Sequence, residues 1–140
     1  MKKILILLSM FVLVFGFVSC SKDGNGGGSG VYTVQINFFV PDPSQPTTVP
    51  VGEGARFSVT VTENGKPIDS DDVDVSTFKD SGIGNLRIWN DGEINIQGAK
   101  ISKKYGEIKG CRFGAVSGSG NFGLTATYKG VTASVTFKTN

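Results

Sequence analysis

The chain contains no histidine. That removes the Ser-His-Asp and Cys-His nucleophile systems, together with the commonest transition-metal ligand. Cysteine occurs only as Cys20 and Cys111, too few for a disulfide framework. Charge is scarce as well as balanced: 14 basic residues face 12 acidic ones, and Lys2 and Lys3 lie in the first three positions. A nucleic-acid-binding domain carries a basic stripe interleaved with aromatics, and without those two lysines the chain is formally neutral, so no nucleic acid is expected as a partner. Beyond residue 30 no stretch shows an apolar period of 3.6 residues, so no amphipathic helix is expected there. Long hydrophobic runs are absent except one, Ile4 to Val18.

That run follows Met1-Lys2-Lys3 and is interrupted only by Ser9 and Gly16. A basic start and an apolar stretch of about 15 residues match a secretory leader rather than a spanning helix of about 20. The leader ends Phe17-Val18-Ser19-Cys20, an order that resembles the lipobox of bacterial lipoproteins, with Phe17 standing where leucine is usual. The resemblance covers the first twenty residues. It implies that the Cys20 thiol receives a diacylglycerol, that residues 1–19 are cut away as a signal peptide, and that the new amine is acylated. Removing 19 of the 140 residues leaves 121, enough for one domain.

Residues 20–30 are the acylated cysteine and its tether, SKDGNGGGSG from Ser21 to Gly30. Such a composition buries no apolar surface and behaves as coil with an r.m.s. reach of roughly 15–20 Å. In Gram-negative lipoproteins the residues after the acylated cysteine help decide sorting. Lys22-Asp23 is similar to a shortened surface-display signal, and an incidental pair of linker charges is the other reading. The address is a lipid anchor in the cell envelope at the outer membrane, with the periplasmic and surface faces both open.

From residue 31 to 140 the pattern is that of strands. Tyr32, Val34, Ile36, Phe38 and Val40 alternate with polar residues, as a half-buried strand requires. Pro41, Pro43, Pro46 and Pro50 break pairing and predict an extended edge crossing. Phe57, Val59 and Val61 alternate again, followed by the turn-forming pair Asn64-Gly65. Val73 and Val75 predict a short strand, and Leu86, Ile88, Ile94 and Ile96 a hairpin about Asn90-Asp91-Gly92. Ile101 to Tyr105 and Ile108 to Phe113 predict a lysine-rich hairpin around Gly106. Phe122, Leu124, Ala126 and Tyr128, then Lys129-Gly130, then Val131, Ala133, Val135 and Phe137 predict the closing hairpin. Seven to nine short strands at roughly 8 to 12-residue spacing specify an all-β fold, an antiparallel β-sandwich.

Three segments carry a resemblance to bacterial immunoglobulin-like domains. They are Val51-Gly52-Glu53-Gly54-Ala55-Arg56-Phe57-Ser58-Val59-Thr60-Val61, then Asn64-Gly65-Lys66-Pro67-Ile68, then Gly123 to Val135. The resemblance implies an immunoglobulin-like sandwich with Greek-key connections, an early strand pair at one end and a closing hairpin at the other. Asp80 to Ser119 has no clear correspondence. Members of that family are commonly spacers or adhesive modules and bring no catalytic residues, so the expected function is non-enzymatic.

Candidate chemistry is thin. Cys111 has no histidine to activate it, and although Lys109 and Arg112 are sequence neighbours, adjacent strand residues point to opposite faces; it reads as a small buried hydrophobe. Asp69, Asp71, Asp72 and Asp74 supply the ligand type calcium prefers, but without the glycine and bidentate glutamate of an EF-hand loop; an exposed turn that discourages edge pairing is the alternative. Lys100, Lys103, Lys104, Lys109 and Arg112 form a basic run, suited either to steering an anionic glycan or membrane surface or to a solvated hairpin. Trp89, with Arg87 and Asn90 beside it, is a sugar-stacking or protein-docking candidate if its register turns it outward, and a core residue if inward. No cofactor and no metal are expected. The function that fits is a lipid-anchored module that binds a protein or glycan partner, and the alternative is an accessory subunit or spacer of an outer-membrane surface complex.

Overall fold

The computed structural model of the protein describes residues 30–91 and 95–139. The leader, Cys20 and the tether up to Ser29 lie outside the described residues, as do Gly92, Glu93 and Ile94 of the expected turn.

The alternation from Tyr32 becomes β1 (Tyr32–Phe39), paired along its length with β2 (Ala55–Glu63). Val34, Ile36, Phe57, Val59 and Val61 point inward and are buried. Asn64 and Gly65, at φ 51° and 78°, turn β2 into β3 (Lys66–Ile68). Positive φ at both central residues matches the twist of the flanking strands, and Asn-Gly adopts it at little cost. There follow β4 (Asp74–Lys79), β5 (Leu86–Trp89), β6 (Asn95–Gly98), β7 (Ser102–Lys104), the single helical turn α1 (Tyr105–Ile108), β8 (Arg112–Ala115), β9 (Gly120–Tyr128) and β10 (Val131–Thr139). The last two form a hairpin about Lys129-Gly130, whose φ values of 46° and 80° repeat the Asn64-Gly65 geometry.

These strands make two antiparallel sheets. One runs β1-β2-β8-β5-β6 with β3 also beside β2, the other β10-β9-β4-β7. They face each other across one apolar core. Phe38 and Phe113 from the first sheet meet Phe122 and Phe137 from the second, with ring centroids 4.9 Å apart for Phe38–Phe137 and 5.3 Å for Phe113–Phe122. Phe113, Phe122 and Phe137 are fully buried, and each contributes about 1.5–3 kcal/mol by leaving water. Edge-to-face contact adds about 0.5–1.5 kcal/mol per pair.

The proline segment carries the chain from one sheet to the edge of the other. Lys138 N–H donates to Thr47 O at 2.8 Å, and Val49 N–H donates to Lys138 O at 2.9 Å. A parallel bridge between Thr48 and Lys138 results.

One expectation fails. Residues 101–113 are not a hairpin around Gly106: β7 pairs with β4 in the second sheet, while β8 lies between β2 and β5 in the first. Between them Glu107 accepts from the backbone N–H of Lys104 at 2.9 Å, closing the helical turn α1. Tyr105 and Ile108 on that turn are buried. Gly106 lies against Asp71, whose Cβ would be 3.0 Å from any side chain added there. A glycine read as the apex of a hairpin is therefore the point of close approach between α1 and the acidic turn before β4.

Candidate functional site

Register decides where Trp89 points. Ile88 is fully buried, so by the two-residue period of a strand Trp89 turns to the outer face of the first sheet, where it is half-buried. The same phase holds on the neighbouring strands. Phe113 and Phe57 are buried, which turns Arg112 and Arg56 outward. Trp89 pairs with Arg112, Arg112 with Arg56, and Arg56 with Phe39. A single row thus crosses four strands of the outer face: Phe39, Arg56, Arg112, Trp89. At roughly 4.8 Å per strand it is about 14 Å long.

Arg87, two residues before Trp89 on the same face, lays its guanidinium over the indole with Cζ 4.7 Å from the ring centroid. The row and its immediate flank therefore hold all three arginines and the one tryptophan of the chain. The Nε of Arg87 is shut off from solvent and has no hydrogen-bond partner among the described residues. Against the far rim of the indole is Gly54: a Cβ there would sit 2.5 Å from Trp89 Cη2 and 3.1 Å from Arg112 Cβ. The missing side chain at Gly54 makes room for the ring. Gly114, opposite Arg87, is similarly closed over by the backbone of Glu53 and Gly54.

Like charges directly opposite on adjacent strands are destabilising, and Arg56 and Arg112 are such a pair. Asp91, from the turn after β5, reaches both with its carboxylate, 3.5 Å from Arg56 and 3.5 Å from Arg112. At 76% exposure for Asp91 and at that length, the bridge relieves the repulsion only in part, since exposed ion pairs are worth about 0–1 kcal/mol. Asn90, the third residue expected beside Trp89, is half-buried at the end of β5 and engaged within the protein. Alternation alone marks Arg56 and Arg112 as outward-facing. What sequence reasoning missed is that β2, β8 and β5 are neighbours, because β8 meets β5 across more than twenty residues of chain and β2 across more than fifty.

The acidic turn and the basic run find each other. Lys104 Nζ lies 3.2 Å from Asp72 and 3.0 Å from Asp74, Lys109 Nζ lies 3.0 Å from Asp71, and Lys103 Nζ lies 3.1 Å from Glu107. Hydrogen bonds to Asp74 and Asp72 raise Lys104 above its ordinary value, and Asp71 does the same for Lys109. Asp69 caps the turn by accepting from Asp71 N–H at 3.0 Å. Among the described residues no group of three or more cysteines or acidic residues gathers to hold a metal ion. Lys100 and Arg112 stand apart from this cluster, Arg112 having joined the row. Cys111 is fully buried, and burial pushes its thiol up; it packs as a small hydrophobe.

At the opposite end of the first sheet, Tyr32 donates to Glu63 at 2.6 Å and accepts from Lys129 at 2.8 Å, while Lys129 stands 4.5 Å above the Tyr32 ring. These contacts tie the two hairpin turns together where the chain enters at Gly30 and Val31. Val31 N–H donates to Asn64 Oδ1 at 3.0 Å. No family model matches the chain, and neither a curated protein nor a solved structure matches it.

Proposed function

We propose that the protein is a lipid-anchored module of the cell envelope, non-enzymatic, that binds a protein or glycan partner through the outer face of β1-β2-β8-β5. In this reading residues 1–19 are a lipoprotein signal peptide, Cys20 carries the lipid, residues 20–30 are the tether, and residues 31–140 form one immunoglobulin-like β-sandwich with Greek-key connections at the outer membrane. The strand orders β1-β2-β8-β5 and β10-β9-β4-β7 support an immunoglobulin-like plan, with an early strand pair in one sheet and the closing hairpin in the other.

The observation that carries the binding reading is the arginine pair beside Trp89, bridged only by the exposed carboxylate of Asp91 at 3.5 Å from each. A sheet whose outer face had only to be wet would gain by replacing Arg56 or Arg112 with a neutral residue. Keeping both, with Arg87 stacked on the indole, makes sense where a partner supplies the missing negative charge. Position agrees. The tether enters beside Tyr32, and Phe39 lies seven residues further along β1, about 24 Å away at about 3.4 Å per residue. The row lies at the end of β1 opposite the one that a bilayer would hold.

The alternative, an accessory subunit or spacer in a surface complex, is favoured by the edge of β10. Its register with β9 turns the backbone groups of Thr132, Ser134 and Thr136 outward, and that edge carries no proline or charge up to Lys138. Unprotected edges accept strands from other chains.

The anchor is tested by metabolic labelling with an alkyne fatty acid. Wild-type protein takes the label and partitions with membranes; Cys20→Ala takes none and stays unprocessed or is released. Equal labelling of the two removes the anchor from the proposal.

A further inference from the structure

We infer that the Phe39–Arg56–Arg112–Trp89 row is a site for an acidic saccharide, a short chain of uronic acid residues whose carboxylates are read by the arginines. The inference rests on the reading of this face as the binding face and names its ligand class.

Three features of the row select that class. Every basic position in it is arginine, whose planar fork matches a carboxylate with two parallel hydrogen bonds, where lysine offers only a point charge. A carboxylate already occupies the gap between Arg56 and Arg112, that of Asp91, at 3.5 Å from each. It is an exposed side chain from a turn and sits beyond good hydrogen-bond length, so a ligand carboxylate at 2.7–2.9 Å, the length charge-assisted bonds prefer, displaces it. The third feature is the pair of aromatic residues that end the row, Trp89 and the 59% exposed Phe39. Aromatic rings offer apolar faces to the C–H faces of sugar rings, and the polar rim of the sugar stays wet.

Other ligands use only half of this arrangement. A neutral glycan leaves the guanidiniums without acceptors. An acidic polypeptide such as oligoglutamate satisfies them but brings no ring to the aromatic ends. Arg87, held over one face of the indole with its Nε shielded, adds a third cation beside the row and leaves the uncovered indole surface and the Phe39 ring for the sugar.

The chain contains one tryptophan, so its intrinsic fluorescence reports this site alone. The test titrates the lipidated protein in detergent micelles with oligogalacturonate, a neutral galactose oligomer of equal length, a heparin oligosaccharide and oligoglutamate. The expected result is a saturable change in Trp89 emission with oligogalacturonate. Its affinity should fall at least tenfold between about 50 and 200 mM salt, since screening acts on exposed charges. Arg56→Gln/Arg112→Gln should weaken it at least tenfold with the thermal midpoint maintained or raised. Asp91→Asn, which removes the competing carboxylate from an exposed turn, should tighten it several-fold. A tighter response to heparin than to oligogalacturonate overturns the carboxylate. An equal response to oligoglutamate replaces the saccharide by an acidic polypeptide, and an equal response to the neutral oligomer removes the charge requirement while leaving the binding face standing. No response to any of the four, or weaker binding by Asp91→Asn, overturns the proposal, and crosslinking from the same face then judges the binding reading separately.

Discussion

Gly114 has its Cα pressed under the backbone of Glu53 and Gly54, and β8 can lie beside β2 only because no side chain intervenes. A Cβ there meets the Glu53 carbonyl, which belongs to backbone and has no rotamer to retreat into. Gly114→Ala is expected to destabilise the fold by about 1–3 kcal/mol, the usual cost of overpacking, measured as a shift in the urea midpoint at constant slope. A stability unchanged within error would mean the strands separate more easily than their packing implies. The residue scale is also where the sequence was least complete. That Cys111 would be buried was legible, because a lone thiol packs as a small hydrophobe. The side of the sheet to which Trp89 turns did not, because a single aromatic beside Ile88 fits either register until the core-facing Leu86 and Ile88 are fixed by Phe113 and Ala115 on β8.

Elements were legible where a local signal sufficed. Asn64-Gly65 and Lys129-Gly130 announce their hairpins by the backbone conformation they favour, and the alternation of β1, β2, β9 and β10 is visible over nearly their whole length. Residues 101–113 were misread because Gly106 looks like a turn apex when the long-range partners are unknown; β7 is held by β4 and β8 by β2 and β5. The α1 turn that separates them depends on Glu107. Its carboxyl is held below the ordinary range first by the Lys104 N–H and then by Lys103. A lowered folded value means that its stabilisation is fully present above the ordinary glutamate value of about 4.3 and is lost as pH falls through the folded value. The thermal midpoint of Glu107→Gln should therefore lie below wild type at pH 7, with the gap closing as acid protonates Glu107. A gap that persists undiminished to the lowest pH at which the fold survives would assign the loss to something other than charge.

The acidic turn gives a second prediction at this scale. The carboxylates of Asp71, Asp72 and Asp74 are engaged by Lys109 and Lys104, and a calcium ion would have to displace two ammonium groups to gather them. Millimolar calcium is expected to leave the thermal midpoint where it is, as is its removal by chelator. A rise of several degrees that chelation reverses would restore the acidic turn as a metal site.

For the molecule as a whole, the neutral charge balance and the absence of histidine left binding as the expected role, and the resemblance around Cys20 supplied an expected address. The all-β character and the pairing of two antiparallel sheets were readable from spacing. Which outer face carries the arginines was not, since it emerges only when strands far apart in sequence lie side by side. If the domain is tethered through Gly30 beside Tyr32, as proposed, the row lies about 24 Å further along β1 at about 3.4 Å per residue, and the proposed partner meets the face of the first sheet at the end away from the anchor. A photo-crosslinking amino acid at Ser58, which is outward on β2 two residues from Arg56, tests this in intact cells against the same group at Ser134 on β10. Adducts from Ser58, lost in Arg56→Gln/Arg112→Gln and absent from Ser134, are the predicted result. Adducts from Ser134 and none from Ser58 would contradict it and assign the interaction to the open edge of the second sheet.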